Sequence, residues 1–183
     1  MPLVFDRATV ERARCDAGAL DALIGGVWPE AYRLALTVLR DHGLAEDAAQ
    51  EACAAIVRFL PALKDPGAFR TWSYKIIARH ALDAARRRPR TTDLDELCVR
   101  AIDSERSDAL DLYAALATLT PLQRTSILLH YYAGLRSQEI GEAIGIPPST
   151  VRFHLMLARR ALRKALGAAT LNRPYNEVLS DVH

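Results

Sequence analysis

Residues 69–90, FRTWSYKIIARHALDAARRRPR, constrain the fold more than any other stretch of the chain. Tyr74, Ile77, Ala78, Ala81 and Ala85 recur at spacings of three and four, the period that lines up one apolar face of a helix. Lys75, Arg79, His80, Asp83, Arg86 and Arg87 fill the opposite half. Pro89 ends the pattern, because proline lacks the backbone donor and disfavours helix at the residue before it. Between residues 64 and 90 there are eight Lys or Arg against two Asp. A helix that is oily on one side and cationic on the other fits a phosphate backbone. It fits equally a solvated helix whose basic end complements the helix dipole. The rest of the chain has to decide between them.

The length of 183 residues fits one domain or two small ones, and a hydrophobic fraction of 50% supplies a core. Net charge is only +2, so the cationic stretch reflects segregation and not a polycationic chain. Cys15, Cys53 and Cys98 are far apart and form no paired motif, which gives no metal site and no disulfide framework. Cys53 lies in an apolar run and reads as a small core residue. No stretch approaches the roughly 20 apolar residues of a membrane span. The opening MPLVFDRATVERAR lacks the basic-then-apolar order of a signal peptide. A soluble, cytoplasmic chain without membrane insertion is expected. No phosphate-cradling glycine loop, metal cluster or nucleophile–base pair stands out, so neither a catalytic site nor a cofactor is expected.

The first half reads as all-helical, without period-two alternation. A short helix is predicted over residues 9–14, followed by an interruption at Gly18 and the Gly25–Gly26 pair. A second helix is predicted over residues 28–39, with Pro29 in its first turn and Trp28, Tyr32, Ala35, Leu36 and Leu39 apolar at helical spacing. A break at Asp41, His42 and Gly43 leads into a helix over residues 45–60. Its inward line is Ala48, Ala52, Ala55, Ile56 and Phe59, and its outward acidic cluster is Glu46, Asp47, Gln50 and Glu51. That cluster reads either as helix-dipole stabilisation or as a polar docking face. The loop PALKDPGA then delivers the chain into residues 69–90.

Residues 91–111 change character, with seven acidic residues and no apolar period until about Leu110. This predicts a linker. From Leu112 a second helical unit begins, with Leu112, Leu116 and Leu119 on one face. Pro121 opens a helix whose expected core residues are Leu122, Ile127, Leu128 and Tyr131, with Gly134 as its stop. Ser137 is the expected cap of the next helix, with Ile140, Ala143 and Ile144 inward and Gly145 as the stop. Pro148 starts the last helix, with Val151, Leu155, Ala158 and Leu162 inward. A short helix, a glycine-containing turn and a second amphipathic helix make a helix-turn-helix, whose second helix lies in a major groove. Its exposed side, Ser149, Thr150, Arg152, His154, Arg159 and Arg160, fits that role, and residues 150–164 hold five Lys or Arg and no acid. The expected fold is therefore all-α. Two small helical domains, residues 1–90 and 112–167, are joined by a flexible acidic linker, 91–111, and followed by a tail, 168–183.

Three strings in order, AEDAAQE, FRTWSYKIIARHALDAARRR and EIGEAIGIPPSTV, resemble the bacterial extracytoplasmic-function (ECF) sigma factors, over about residues 13–166. In that family a region 2 domain and a region 4 domain direct RNA polymerase to promoters. The resemblance implies that the AEDAAQE helix docks on the clamp of the polymerase's largest subunit, through Asp47, Gln50 and Glu51. It implies that the loop and helix of residues 64–87 read the opened −10 element, where a base is flipped into a pocket and cations hold the strand. Lys64, Phe69, Arg70, Lys75, Arg79, His80, Asp83, Arg86 and Arg87 are the residues carried over. The last helix then reads the −35 duplex. Arg152 would pair with guanine, Ser149 and Thr150 would hold phosphates, and Phe153, His154, Met156 and Arg159 complete the set. The acidic linker would stand in for nascent RNA in the polymerase exit path. An anti-sigma protein is a candidate partner that the residues themselves do not reveal, and a chain without a fused extra domain implies control from outside.

The chain departs from the family at several positions. His80 stands where Asn is usual; Asn offers both a donor and an acceptor, whereas His changes the reach. Ser73 stands where Leu is usual, which implies looser packing beside Trp72, itself read as a core anchor. Phe153 and Leu157 stand where small polar and basic residues are usual. With Met156 they form an apolar patch, read as a contact for thymine methyls, as a face covered by an inhibitor protein, or as a turn into the domain core. The competing readings are a helix-turn-helix regulator that does not associate with core polymerase, and an RNA-processing enzyme using the basic helix. The second reader in the first half argues against the regulator, and the missing catalytic constellation argues against the enzyme.

Overall fold

The computed structural model describes residues 5–87 and 107–166, and of residues 107–111 the backbone alone. Eight α-helices follow in order among the described residues: α1 Arg7–Arg12, α2 Ala17–Leu39, α3 His42–Phe59, α4 Phe69–Arg87, α5 Ser107–Ala117, α6 Pro121–Ile127, α7 Ser137–Ile144 and α8 Pro148–Leu166. No strand occurs among those residues, and none of these helices is long and apolar enough to cross a membrane.

The first half is built on α2, which packs against both α3 and α4. Its buried line is Leu23, Val27, Ala31, Leu34, Ala35, Val38 and Leu39. Burying a side chain the size of leucine or valine contributes about 1.5–3 kcal/mol, so such a line outweighs a locally unfavourable residue. This explains the main departure from the sequence reading. The helix expected to begin at residue 28 begins at Ala17 and runs through Gly25 and Gly26, placing Pro29 inside the helix. Gly26 is a site of close approach and not a break: a Cβ there would lie 2.6 Å from the Phe5 ring. Pro29 is exposed, so the carbonyl it leaves without an intrahelical donor lies on the solvent side.

Arg40, in the left-handed region at φ 56°, ends α2. Asp41 then caps α3 by accepting from the Leu44 N–H at 2.9 Å. The expected break at residues 41–43 is therefore sharper than anticipated. Ala48, Ala52 and Ile56 of α3 are buried as expected, and Cys53 joins them, its thiol pKa pushed up by burial. Phe59 was expected inward, but it lies half-exposed at the end of α3 with the Arg58 guanidinium over its ring. The loop of residues 60–68 forms two 3-10 turns, Leu60–Ala62 and Pro66–Ala68. Arg14 braces it by donating to the carbonyls of Leu60, Pro61 and Leu63.

In the second half, α5 begins at Ser107, inside the stretch expected as linker, and residues 91–106 lie outside the described residues, as does the tail. Thr120 and Gln123 cap α6 reciprocally, with Pro121 in its first turn. After Ile127 the helix widens into a π turn over Leu128–Tyr132. The wider turn rotates the following side chains, so Leu129 is fully buried and Tyr131, expected in the core, is exposed. The cap of α7 also differs by one residue: Arg136 takes the cap position, its N–H donating to Glu139 at 2.8 Å, and Ser137 is the first helical residue. Gly134 and Gly145 end their helices in left-handed geometry, at φ 77° and 72°. Gly141 is dictated by contact, since a Cβ would lie 2.6 Å from the Ile146 carbonyl oxygen and would push α7 away from the turn. On α8, Val151, Leu155, Ala158 and Leu162 are buried as expected.

The two halves touch. Glu30 on α2, only 4% exposed, accepts from the Tyr132 hydroxyl at 2.6 Å and the Tyr74 hydroxyl at 3.3 Å. Arg33 pairs with its other oxygen at 3.1 Å. The Tyr74 and Tyr132 rings meet edge to face at 5.8 Å. Arg124, buried at 6% exposure, donates to the Thr37 carbonyl at 3.1 Å.

Candidate nucleic-acid interface

The first candidate surface is the loop of residues 60–68 together with α4. Asp65 caps the turn before α4 by accepting from the Gly67 N–H at 2.9 Å, leaving Lys64 exposed. Phe69 does not reach the surface. It is 2% exposed and packs edge to face on Phe5 at 5.7 Å and against Trp72 at 6.0 Å. The expectation that Phe69 contacts DNA is therefore corrected: it anchors the start of α4 in the core. Trp72 is the half-buried anchor that was expected. Arg70, Arg79, Arg86 and Arg87 are exposed, while Lys75, His80 and Asp83 are half-buried.

Several of these residues are engaged within the chain. Arg70 donates to the Tyr132 carbonyl at 3.0 Å, and the Lys75 ammonium lies 3.9 Å from Glu142 on α7. Arg86 pairs with Asp83 at 3.3 Å. His80 Nδ1 lies 3.2 Å from Glu51 Oε2, and Arg87 reaches the same oxygen at 3.5 Å. Asp47, Gln50 and Glu51 are exposed on one face of α3. Glu51 thus joins the expected docking face to the expected −10 reader.

The second candidate surface is α8. At about 3.6 residues per turn, Ser149, Phe153, Met156 and Arg160 fall opposite the buried line. Ser149, Arg152, Arg159 and Arg160 are exposed, and Thr150 and His154 are half-buried. Arg159 donates to the Tyr131 hydroxyl at 2.7 Å and lies over its ring. Phe153 and Met156 are 53% and 54% exposed, so neither turns into the core. Leu157 is partly buried in a shallow concavity with Arg160, Ala161, Arg163 and Lys164. No group of three potential metal-ligating side chains comes together among the described residues.

Two family models match the chain, Sigma-70 region 2 over residues 24–91 and Sigma-70 region 4 over residues 109–162. The ECF RNA polymerase sigma factor ShbA of Streptomyces griseus is 35% identical over 178 residues, a match covering 85% of this chain and 93% of that protein. The chain belongs to the ECF sigma factors. The sigma-H factor of Pseudomonas aeruginosa is 31% identical, with 88% of this chain and 93% of that protein covered. The fold is likewise that of sigma factor RpoE of Bartonella quintana, solved in complex with the anti-sigma factor NepR. That likeness has a TM-score of 0.62 at 19% identity and covers 82% of this chain and 98% of that one. CnrH, solved with the cytosolic domain of CnrY, matches at a TM-score of 0.61 and 21% identity, over 90% of this chain and 99% of that one. The factor is accordingly a transcription initiation factor with promoter DNA and RNA polymerase core as partners, and the reading as a regulator that does not associate with core polymerase is not favoured.

Sequence reasoning missed the contact between the halves. Its signal lay in α2, where Glu30 occupies the buried line between Val27 and Leu34. A carboxylate on an apolar face needs partners, and here tyrosines from both halves supply them.

Proposed function

We propose that this sigma factor reads its promoter in two places and docks between them. Loop residue Lys64 and the α4 residues Arg70, Lys75, Arg79, His80, Asp83, Arg86 and Arg87 would hold the opened −10 strand. Ser149, Thr150, Arg152, His154 and Arg159 of α8 would grip the −35 duplex. Asp47, Gln50 and Glu51 would dock on the polymerase clamp. The observation that carries the reading is a cationic, exposed helix face in each half, each backed by its own buried apolar line. Guanidinium groups neutralise phosphates and pair bidentately with guanine, so both faces have the chemistry the task requires. The protein would act in the cytoplasm as a non-catalytic subunit, and an anti-sigma protein is a fitting regulator because the structural neighbour RpoE of Bartonella quintana was solved with one.

The test is reconstitution with purified bacterial core polymerase on promoters recovered from cells. Promoter-dependent initiation is the expected result, and absence of association with core would refute the reading. Reversing the charge at Asp47 and Glu51 should weaken association while leaving the helical fold intact by circular dichroism. Association at wild-type strength would place the docking face elsewhere.

A further inference from the structure

The exposed face of α8 carries two large apolar side chains in the middle of its cationic field. Phe153 and Met156 are 53% and 54% exposed and lie opposite the line of Val151, Leu155, Ala158 and Leu162. Ser149 and Arg152 stand before them along the helix, and Arg160 and Arg163 after them. None of Arg152, Arg160 and Arg163 takes part in an ion pair between described residues. An apolar pair in that position lies where phosphates on either side would hold a base edge. The one apolar group a major groove presents is the C5-methyl of thymine. A protein cover fits less well, because a stable interface buries upwards of about 1,000 Å² around an apolar centre depleted of charge. Here two isolated side chains are flanked by guanidinium groups.

We propose that Phe153 and Met156 are specificity-determining residues that read thymine methyl groups in the −35 duplex, Phe153 being the principal reader. The proposal rests on the assignment of α8 to the duplex. It adds the base: Arg152 selects guanine by hydrogen bonding, and Phe153 selects thymine by contact with a group that carries no hydrogen-bonding information. A serine at position 153 would be too short and too polar to make that selection, because it lacks the apolar ring surface that Phe153 presents to the methyl.

Replacing thymine by deoxyuridine removes the methyl and nothing else. Core polymerase loaded with the full chain would first select −35 duplexes from a randomised set beside a fixed −10 element. Each thymine of the selected sequence, on either strand, would then be replaced singly by deoxyuridine. The wild-type factor should lose about threefold to tenfold in affinity at one or two positions. The Phe153→Ser factor should bind the thymine duplex more weakly and show no further loss at the position Phe153 reads. Position 153 is exposed and opposite the core, and circular dichroism checks that the variant folds. Wild-type tolerance of deoxyuridine at every position, with selection intact, would overturn the proposal and leave a protein cover for the patch. Equal losses in wild type and Phe153→Ser would overturn the role of Phe153. Failure to enrich any −35 sequence would overturn the assignment of α8 itself.

Discussion

The two cationic helices, α4 and α8, have similar compositions and opposite situations. On α8 the face opposite the core is open, and Arg152, Arg160 and Arg163 meet no acid among the described residues. On α4 most of the basic residues are engaged within the protein: Arg70 and Lys75 by the second half, His80 and Arg87 by Glu51, and Arg86 by Asp83. Charge along the sequence therefore does not measure availability. On the proposed reading, rigid duplex would meet the open face of α8 directly, whereas an opened strand would have to displace the partners that hold most of the cations of α4.

The largest test of that difference is at Glu30, whose carboxylate accepts from tyrosines of both halves. Glu30→Ala leaves those hydroxyls and buried polar surface without their acceptor. Hydrogen bonds to a charged group contribute roughly 1.5–3 kcal/mol each, so a stability loss of about 3 kcal/mol is predicted for the pair. Denaturant melts would measure it. Hydrogen exchange should rise first around Tyr132 and the start of α4, because that is where the halves meet. A loss under about 0.5 kcal/mol, the size of an ordinary surface substitution, would show that the halves hold together without the carboxylate.

The next largest effect is expected on the open helix. Arg152→Ala should cost about 1–3 kcal/mol on the preferred −35 duplex and much less on unrelated duplexes. It should leave −10 strand binding unchanged. Equal weakening on every sequence would make Arg152 a phosphate clamp. The salt dependence would then fall by about one unit of slope, which titration at several salt concentrations would reveal.

On the engaged helix, His80→Asn should shift −10 base preference severalfold, about 1 kcal/mol on the scale of a single neutral hydrogen bond. The substitution also removes the imidazole from Glu51, 3.2 Å away. Base preference and core association should therefore be measured together. A change in core association alone would make His80 a tether for the docking face and not a reader.

How far the sequence carried this picture depended on whether the deciding force was local. The buried line of α8 followed from spacing alone, and so did the helix starts at Pro121 and Pro148, because a helix face and its first turn are written within a few residues. The start of α2 did not, because Leu23 and Val27 outweigh the local cost of Gly25, Gly26 and Pro29 through contacts with distant helices. Tyr131 was misplaced because no residue in LLHYY announces a π turn. Phe69 was misplaced because its partner, Phe5, lies far off in the chain. Glu30 was passed over because its partners come from two other helices.

Ser73 offers the smallest and cleanest comparison, since it lies on the buried side of α4, away from that helix's cationic face. It is fully buried, and its hydroxyl oxygen finds no hydrogen-bond partner among the described residues. A buried hydroxyl left unpaired costs on the order of 1–3 kcal/mol, and removing it while keeping the Cβ creates only a very small void. Alanine also has the higher helix propensity, by a few tenths of a kcal/mol. Ser73→Ala should therefore stabilise the protein by about 1 kcal/mol. If the interior of α4 is independent of its cationic face, DNA binding should not change. Leucine at the same position would add volume where the backbone is already packed, and overpacking costs roughly 1–3 kcal/mol. The order alanine, then serine, then leucine in thermal stability would mean that the core has closed around the smaller side chain. Leucine above serine would mean instead that space for the larger residue persists beside Trp72.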